Sequence, residues 1–199
     1  LPYPHITRGT LDLADSTSPS TSADARAVIT FWREAGAERW FKTDPTFDRQ
    51  FAERFLALHE RAARGELRDW LATAEGALAL VLLLDQFPRN VFRGTARVYA
   101  TDATAREAAQ TAIAAAHDRA VEPQLQVFFY LPYMHSENLA DQERSVALVR
   151  RIGEPNLKHA IGHRDIIRRF GRFPHRNAIL GRATTAEEQR FLEEGGFGG

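Results

Sequence analysis

The residues best suited to chemistry in this chain lie where apolar helices run into proline. Leu84-Asp85-Gln86-Phe87-Pro88-Arg89-Asn90 closes the most apolar stretch of the sequence and supplies a carboxylate, a guanidinium and two amides. Buried without partners, such groups cost about 1–3 kcal/mol each. Asp85, Arg89 and Asn90 therefore either stitch helix ends together or clamp a ligand. His135-Ser136-Glu137-Asn138 follows a second Pro-broken run, Phe129-Tyr130-Leu131-Pro132-Tyr133-Met134. An imidazole with an unperturbed pKa of about 6.5 transfers protons at neutral pH when a carboxylate orients it. His135 is thus the candidate general base and Glu137 its orienting partner, the alternative being a buried structural network. Nothing resembling a Gly-x-Ser-x-Gly elbow surrounds Ser136, so a serine nucleophile is not expected.

His159 and His163 stand one helical turn apart, on the same face as Ile166, Ile167 and Phe170, and that face is predicted to point inward. With Asp85 or Glu137 they would approach a metal-ligand set. The sequence contains neither His-Glu-x-x-His nor the paired Glu-x-x-His of di-iron bundles, so we expect no metal and no cofactor. The two histidines are then core residues or ligand contacts. Phe170-Gly171-Arg172-Phe173-Pro174-His175-Arg176-Asn177 echoes residues 84–90 in its aromatic-Pro pair and its Arg-Asn dipeptide. One reading is a repeated helix stop, in which Arg and Asn satisfy carbonyls that proline frees. The other is a single site assembled from both segments, with Arg172, Arg176 and Asn177 in the second half. The single site requires Arg89 or Asn90 to lie within side-chain reach of residues 135–138 or 172–177.

Charge is unevenly spread. The chain balances 26 basic against 26 acidic side chains, yet Arg144 to Arg182 carries ten basic residues against Glu154 and Asp165. Arginine dominates this set, which favours bidentate recognition of carboxylate or phosphate. Arg164, Arg168 and Arg172 form one helical stripe, either a solvated face paired with acids such as Glu53, Glu60 or Glu107, or a site for a small anion or an acidic peptide. Nucleic acid is disfavoured by the zero overall charge and the lack of a recognised binding module. The absence of cysteine excludes a disulfide framework, a thiolate metal site and a cysteine nucleophile, and a cytoplasmic location is expected. No apolar run approaches the roughly 20 residues of a membrane-spanning helix, so no membrane partner is expected.

Helices must position these groups. Residues 1–22 are rich in Ser, Thr, Pro and Asp and read as a flexible leader, leaving 23–199 as one helical domain. Ala25, Val28, Ile29 and Trp32 form one apolar stripe; Phe47, Phe51, Phe55 and Leu58 form the next. Asp44 is placed to cap the second helix, Pro45 to open it and Gly65 to stop it. Thr73–Phe87 is apolar on every side and predicts a buried central helix that Pro88 ends. Thr101 is expected to cap an Ala-rich helix reaching about Ala120, with Ala105, Ala108, Ala109, Ala112 and Ala116 as its small face. Pro123 opens a helix over Gln124–Tyr130 that Pro132 kinks or interrupts, and further helices are expected from Asn138 to Ile152 and over Asn156–Phe170. Thr184 and Glu187 have the spacing of a capping box for the last one. Trp32, Trp40, Phe41, Phe47 and Trp70 read as core. With no alternating stretch, the fold class is all-α: antiparallel helix pairs, about seven or eight helices in all.

Leu84–Asn90, Phe129–Glu137, Phe170–Asn177, Phe31-Trp32, Trp40-Phe41 and Asp141-Gln142-Glu143-Arg144-Ser145 together resemble the bacterial family termed domain of unknown function 924, over about Ala27 to Leu192. The resemblance implies a tetratricopeptide-like helical fold and brings no activity with it. Function therefore rests on the residues themselves. The leading expectation is a helical protein that binds a small anionic or carboxylate-bearing ligand in an Arg/His-rich polar site. In the enzymatic alternative His135 is the base and Glu137 its partner. Asp85 or Asn138 then positions substrate, and Arg89, Arg172 or Arg176 neutralises developing charge. A third possibility is a peptide-binding module that uses a concave helical surface.

Overall fold

Apolar stripes at helical spacing, punctuated by proline and glycine, dictate a stack of short helices. The computed structural model describes residues 20–198, and all its regular structure is helical, with no strand among those residues. The expected leader lies outside the described residues except for 20–22, where Ser22 already caps α1 (Ala23–Ala35) by accepting from the Ala25 N–H at 3.1 Å. The four-residue α2 (Ala37–Trp40), which carried no sequence signal, follows. In α3 (Pro45–Ala63) Asp44 Oδ1 accepts from the Thr46 and Phe47 N–H groups at 3.0 and 3.1 Å, and Gly65 lies just past the end, as expected. α1 and α3 meet through their aromatic rings, with Trp32 5.5 Å from Phe51 and Phe31 5.0 Å from Phe47. Phe41 is the exception to the expected core: the chain turns at the end of α2, so only Trp40 reaches inward and Phe41 stays 62% exposed.

The central helix departs from expectation at Pro88. α4 (Ala74–Val81) widens into a π turn over Leu82–Gln86 and continues as α5 (Phe87–Val91), so Pro88 lies inside the helix and does not end it. A proline in a regular helix lacks one N–H and collides with the carbonyl four residues back. The π turn relieves that conflict by moving the ladder to longer spacing, the Phe87 N–H reaching the Leu82 carbonyl. Side chains take up the carbonyls released. His59 Nδ1 donates to Leu83 O at 2.9 Å, Thr101 Oγ1 to Leu84 O at 2.6 Å and Arg89 Nη1 to Asp85 O at 2.9 Å.

Thr101 is consequently engaged with α4–α5 and makes no side-chain cap for α6 (Asp102–Ala114). That helix stops short of Ala120. Ala105, Ala108, Ala109 and Ala112 form its buried face as expected, whereas Ala116 is exposed and left-handed at φ +58°. The turn there drives Asp118 into the interior, where the Tyr130 hydroxyl donates to Oδ2 at 2.7 Å. α7 (Val127–Met134) is buried along its whole length with Pro132 inside it, and packs between α6 and α8 (Leu139–Val149). α9 (Asn156–Phe170) packs on α8. The capping box of α10 (Ala186–Glu193) is Thr185 with Glu188, one residue beyond the expected pair. With α4, the π turn and α5 counted as one rod, the described residues form nine helices in packed pairs. None is long and apolar enough to cross a membrane.

Candidate functional site

The π turn places Asp85 on the inner side of the central helix, fully buried. Its Oδ1 is 2.8 Å from His135 Nδ1 and 3.2 Å from Arg89 Nη1, and its Oδ2 accepts from Gln86 Nε2 at 2.7 Å. Arg89 Nη1 also lies 2.9 Å from Asp102 Oδ1, at the start of α6. From the second Pro segment Arg176 arrives opposite. Its Nη2 donates to the His135 carbonyl at 2.9 Å, its Nη1 lies 3.6 Å from Asp102 Oδ2, and its guanidinium covers the rings of Tyr99 and Phe173 at 4.3 and 4.5 Å. The segments around 85–90, 135–138 and 172–177 thus converge, as a single site requires.

The carboxylate partner of His135 is Asp85, however, and not the expected Glu137. Glu137 turns to the other side of the chain, because Arg182 holds it with two bonds of 2.7 and 3.0 Å and the Phe173 N–H donates to it at 2.8 Å. Arg172 is engaged with Glu188 at 2.6 and 2.8 Å, away from His135. Asn177 is fully buried, accepts from Arg182 Nε at 3.0 Å and joins the same network. Asn90 is buried against its own helix, with Nδ2 donating to Gln86 O at 2.8 Å, and Asn138 caps α8 by accepting from the Ala140 N–H at 2.8 Å. Of the face expected to point inward, carrying His159, His163, Ile166, Ile167 and Phe170, only Ile167 is buried. His159 is exposed, and half-buried His163 lies between Phe173 and Phe197 at 5.5 and 4.4 Å, since Ala160 and Ile167 form the inward side of α9. Arg164 and Arg168 pair with Asp165 and Glu143, not with Glu53, Glu60 or Glu107.

Electrostatics sets the protonation of the dyad. Burial would raise the Asp85 carboxyl, but the Arg89 guanidinium and the His135 ring outweigh it and hold its pKa well below the usual range. Burial and the Arg89 charge lower the His135 pKa, with Asp85 opposing them only in part. Against an ionised Asp85, Nδ1 of a neutral His135 carries the proton, which leaves Nε2 with a free lone pair. Two buried guanidinium donors beside the dyad, Arg89 Nη2 and Arg176 Nε, have no hydrogen-bond partner among the described residues. Sequence reasoning missed Asp102 and Tyr99. Asp102 reads as an ordinary first-turn acid, and no spacing connects it to Arg89 and Arg176. Among the described residues no three histidine or acidic side chains gather as a metal ion would need, and His163 Nδ1 is already bonded to the His159 carbonyl at 2.9 Å. Beyond His163 a cleft of about 420 Å³ runs between α9 and α10, with Phe170, Phe191 and Phe197 on its walls and Lys158 and Arg169 beside them.

The family described as "Bacterial protein of unknown function (DUF924)" matches residues 28–196. A solved structure, "Structure of Protein of Unknown Function ATU0120 from Agrobacterium tumefaciens", is 55% identical and superposes with a TM-score of 0.85, covering 86% of this chain and 97% of that one. No functionally curated protein matches.

Proposed function

The chain belongs to the bacterial family of unknown function DUF924, so its activity has to be read from its own side chains, and we propose that the Arg89–Arg176–His135 site binds a small carboxylate-bearing anion. The observation that carries this reading is the pair of buried, unpartnered donors, Arg89 Nη2 and Arg176 Nε. Charge-assisted bonds to such donors contribute about 1.5–3 kcal/mol, and leaving the donors unmade costs a comparable amount. Arg176 is the less committed of the two, since it stands 3.6 Å from Asp102 while Arg89 stands within 3.2 Å of two carboxylates. A ligand carboxylate accepting from Arg176 Nε would complete its coordination without displacing an existing bond.

One observation favours an enzymatic form of the same reading. The contact between Asp85 and His135 Nδ1 frees Nε2 to take a proton, and the lowered His135 pKa keeps the ring unprotonated at neutral pH. The proton would come from a carbon or hydroxyl adjacent to the bound carboxylate, with the two arginines stabilising the charge that develops. Acetate and succinate titrations, followed by calorimetry on wild type, Arg176→Gln and Arg89→Gln, test the binding. Arg176→Gln should abolish carboxylate binding and lower the melting temperature less than Arg89→Gln, which breaks two close ion pairs and should lose binding as well. Undiminished binding in Arg176→Gln would return that arginine to the scaffold and overturn the proposal. Deuterium incorporation from solvent into bound succinate, absent in His135→Gln, tests the base.

A further inference from the structure

We infer that the cleft between α9 and α10 is a second binding site, for a linear amphipathic carboxylate whose chain lies along Gly162 and the phenylalanine rings and whose head meets Lys158. This site is independent of the carboxylate reading above. Neither Arg89, Arg176 nor His135 lines the cleft. The fully buried Phe173 ring separates the two, 4.5 Å from the Arg176 guanidinium and 5.5 Å from His163 on the cleft wall.

Spacing along α9 shapes the floor. Lys158, Gly162, Ile166 and Arg169 follow one another at helical intervals of four or three residues, so they form one stripe about 16 Å long. The opposite wall runs back along that stripe, because Phe191 of α10 meets Phe170 at 5.1 Å and Phe197 meets His163, two turns earlier, at 4.4 Å. Gly196 makes the return possible: a Cβ there would lie 2.4 Å from the Phe191 carbonyl oxygen. Burial and nearby positive groups lower the His163 pKa to about 4, so its ring is an uncharged wall at neutral pH. The cleft volume of about 420 Å³ falls in the range of small-ligand sites, and its elongated outline takes a chain.

Gly162 points to an occupant. Glycine weakens a helix interior, and here the fold does not require it: a Cβ on Gly162 would meet nothing within 4 Å. Any larger side chain would project into the cleft, so glycine keeps the floor open at the expense of the helix. Lys158 sets the charge of the ligand. Arg164 and Arg168 pair with Asp165 and Glu143, which also neutralises Asp165 on the cleft wall, and Arg169 pairs with Glu187 at 2.9 Å. Glu154 accepts from the Lys158 backbone N–H at 3.2 Å, and the Lys158 ammonium makes no ion pair among the described residues. An exposed ammonium at the end of an apolar floor complements an anionic head on an apolar chain.

Amide NMR titrations with octanoate, octanol and acetate test the inference on wild type, Lys158→Ala, Gly162→Leu and Arg176→Gln. In wild type octanoate should shift the Gly162 and Phe197 resonances, octanol should do so about fivefold more weakly for want of the exposed ion pair, and acetate should leave them in place. Lys158→Ala should bring octanoate down to the affinity of octanol. Gly162→Leu should raise the melting temperature by about 2 °C while weakening octanoate binding, read at Phe197, at least tenfold. Arg176→Gln should leave octanoate binding in the cleft unchanged. Octanoate that shifts only residues around Arg176, and is lost in Arg176→Gln, would overturn the second site and leave the carboxylate reading standing. Undiminished binding by Gly162→Leu, or a fall in its melting temperature, would likewise overturn it. Octanol binding as tightly as octanoate would overturn the anionic head.

Discussion

Residues 84–90 and 170–177 share an aromatic-Pro pair and an Arg-Asn dipeptide, yet the chain runs straight through the first and breaks at the second. In the first, the π turn carries the helix past Pro88, and the side chains of His59, Thr101 and the segment's own Arg89 close its released carbonyls. In the second, Gly171 at φ +69° ends α9 in the left-handed conformation and Pro174 opens a short 3₁₀ turn. Counted back from the aromatic-Pro pair, Gly171 stands where the first segment has Asp85. One residue requires a helix that continues, because only then does its carboxylate meet His135; the other permits a helix that stops. Even so, both arginines reach Asp102 and both asparagines accept from a later arginine, Asn90 from Arg93 at 2.9 Å and Asn177 from Arg182 at 3.0 Å. The placement of polar groups is thus less sensitive to the backbone path than the path is to a single residue. The first segment is a continuous buried strut, and the second is a helix end whose Arg176, itself buried, reaches back to His135 and Asp102.

If this division of labour is right, Asp85→Ala should be the most damaging single change. It strips a fully buried carboxylate from Arg89 and His135 and should cost on the order of 3–5 kcal/mol in urea unfolding. A loss under about 1 kcal/mol would erase the contrast between strut and helix end. Gly171→Ala tests the other segment. Nothing lies within 4 Å of the added methyl, so the cost is the left-handed backbone alone, about 1–2 kcal/mol.

The mildest probe is pH. His163 and His175 titrate at about 4 in the folded protein against 6.5 when unfolded, so between those values the unfolded chain binds more protons and stability falls as the pH drops. His135, also lowered, adds a change of the same sign. The depressed carboxyls of Asp85 and Glu137 keep their contribution until the pH falls toward their unfolded values of 3.8 and 4.5. Melting curves from pH 7.5 to 5 should therefore slope downward toward acid. The slope should flatten in His163→Gln and His175→Gln, and an unchanged slope in His175→Gln would separate the acid response from the second segment.

Local rules written into the sequence settled the helical class, the cap at Asp44, the stop at Gly65, the buried small face of α6 and the bounds of α9, because each depends on residues within one or two helical turns of one another. The sequence also marked the three segments that converge. It did not determine the partners within them. Pro88 alone calls for a helix end, and it is tolerated because His59 and Thr101, 24 and 17 residues from the carbonyls they bond, fold against the π turn. Glu137, two residues from His135, is the partner that local spacing points to, yet Asp85 holds the ring from 50 residues away while Arg182 takes Glu137 from 45. Asp102 joined the site with no local signal at all. Hydrogen bonds and ion pairs act over about 3 Å of space, and only the packing of α4–α5 against α6, α7 and the Phe173–Asn177 turn decides which side chains come that close.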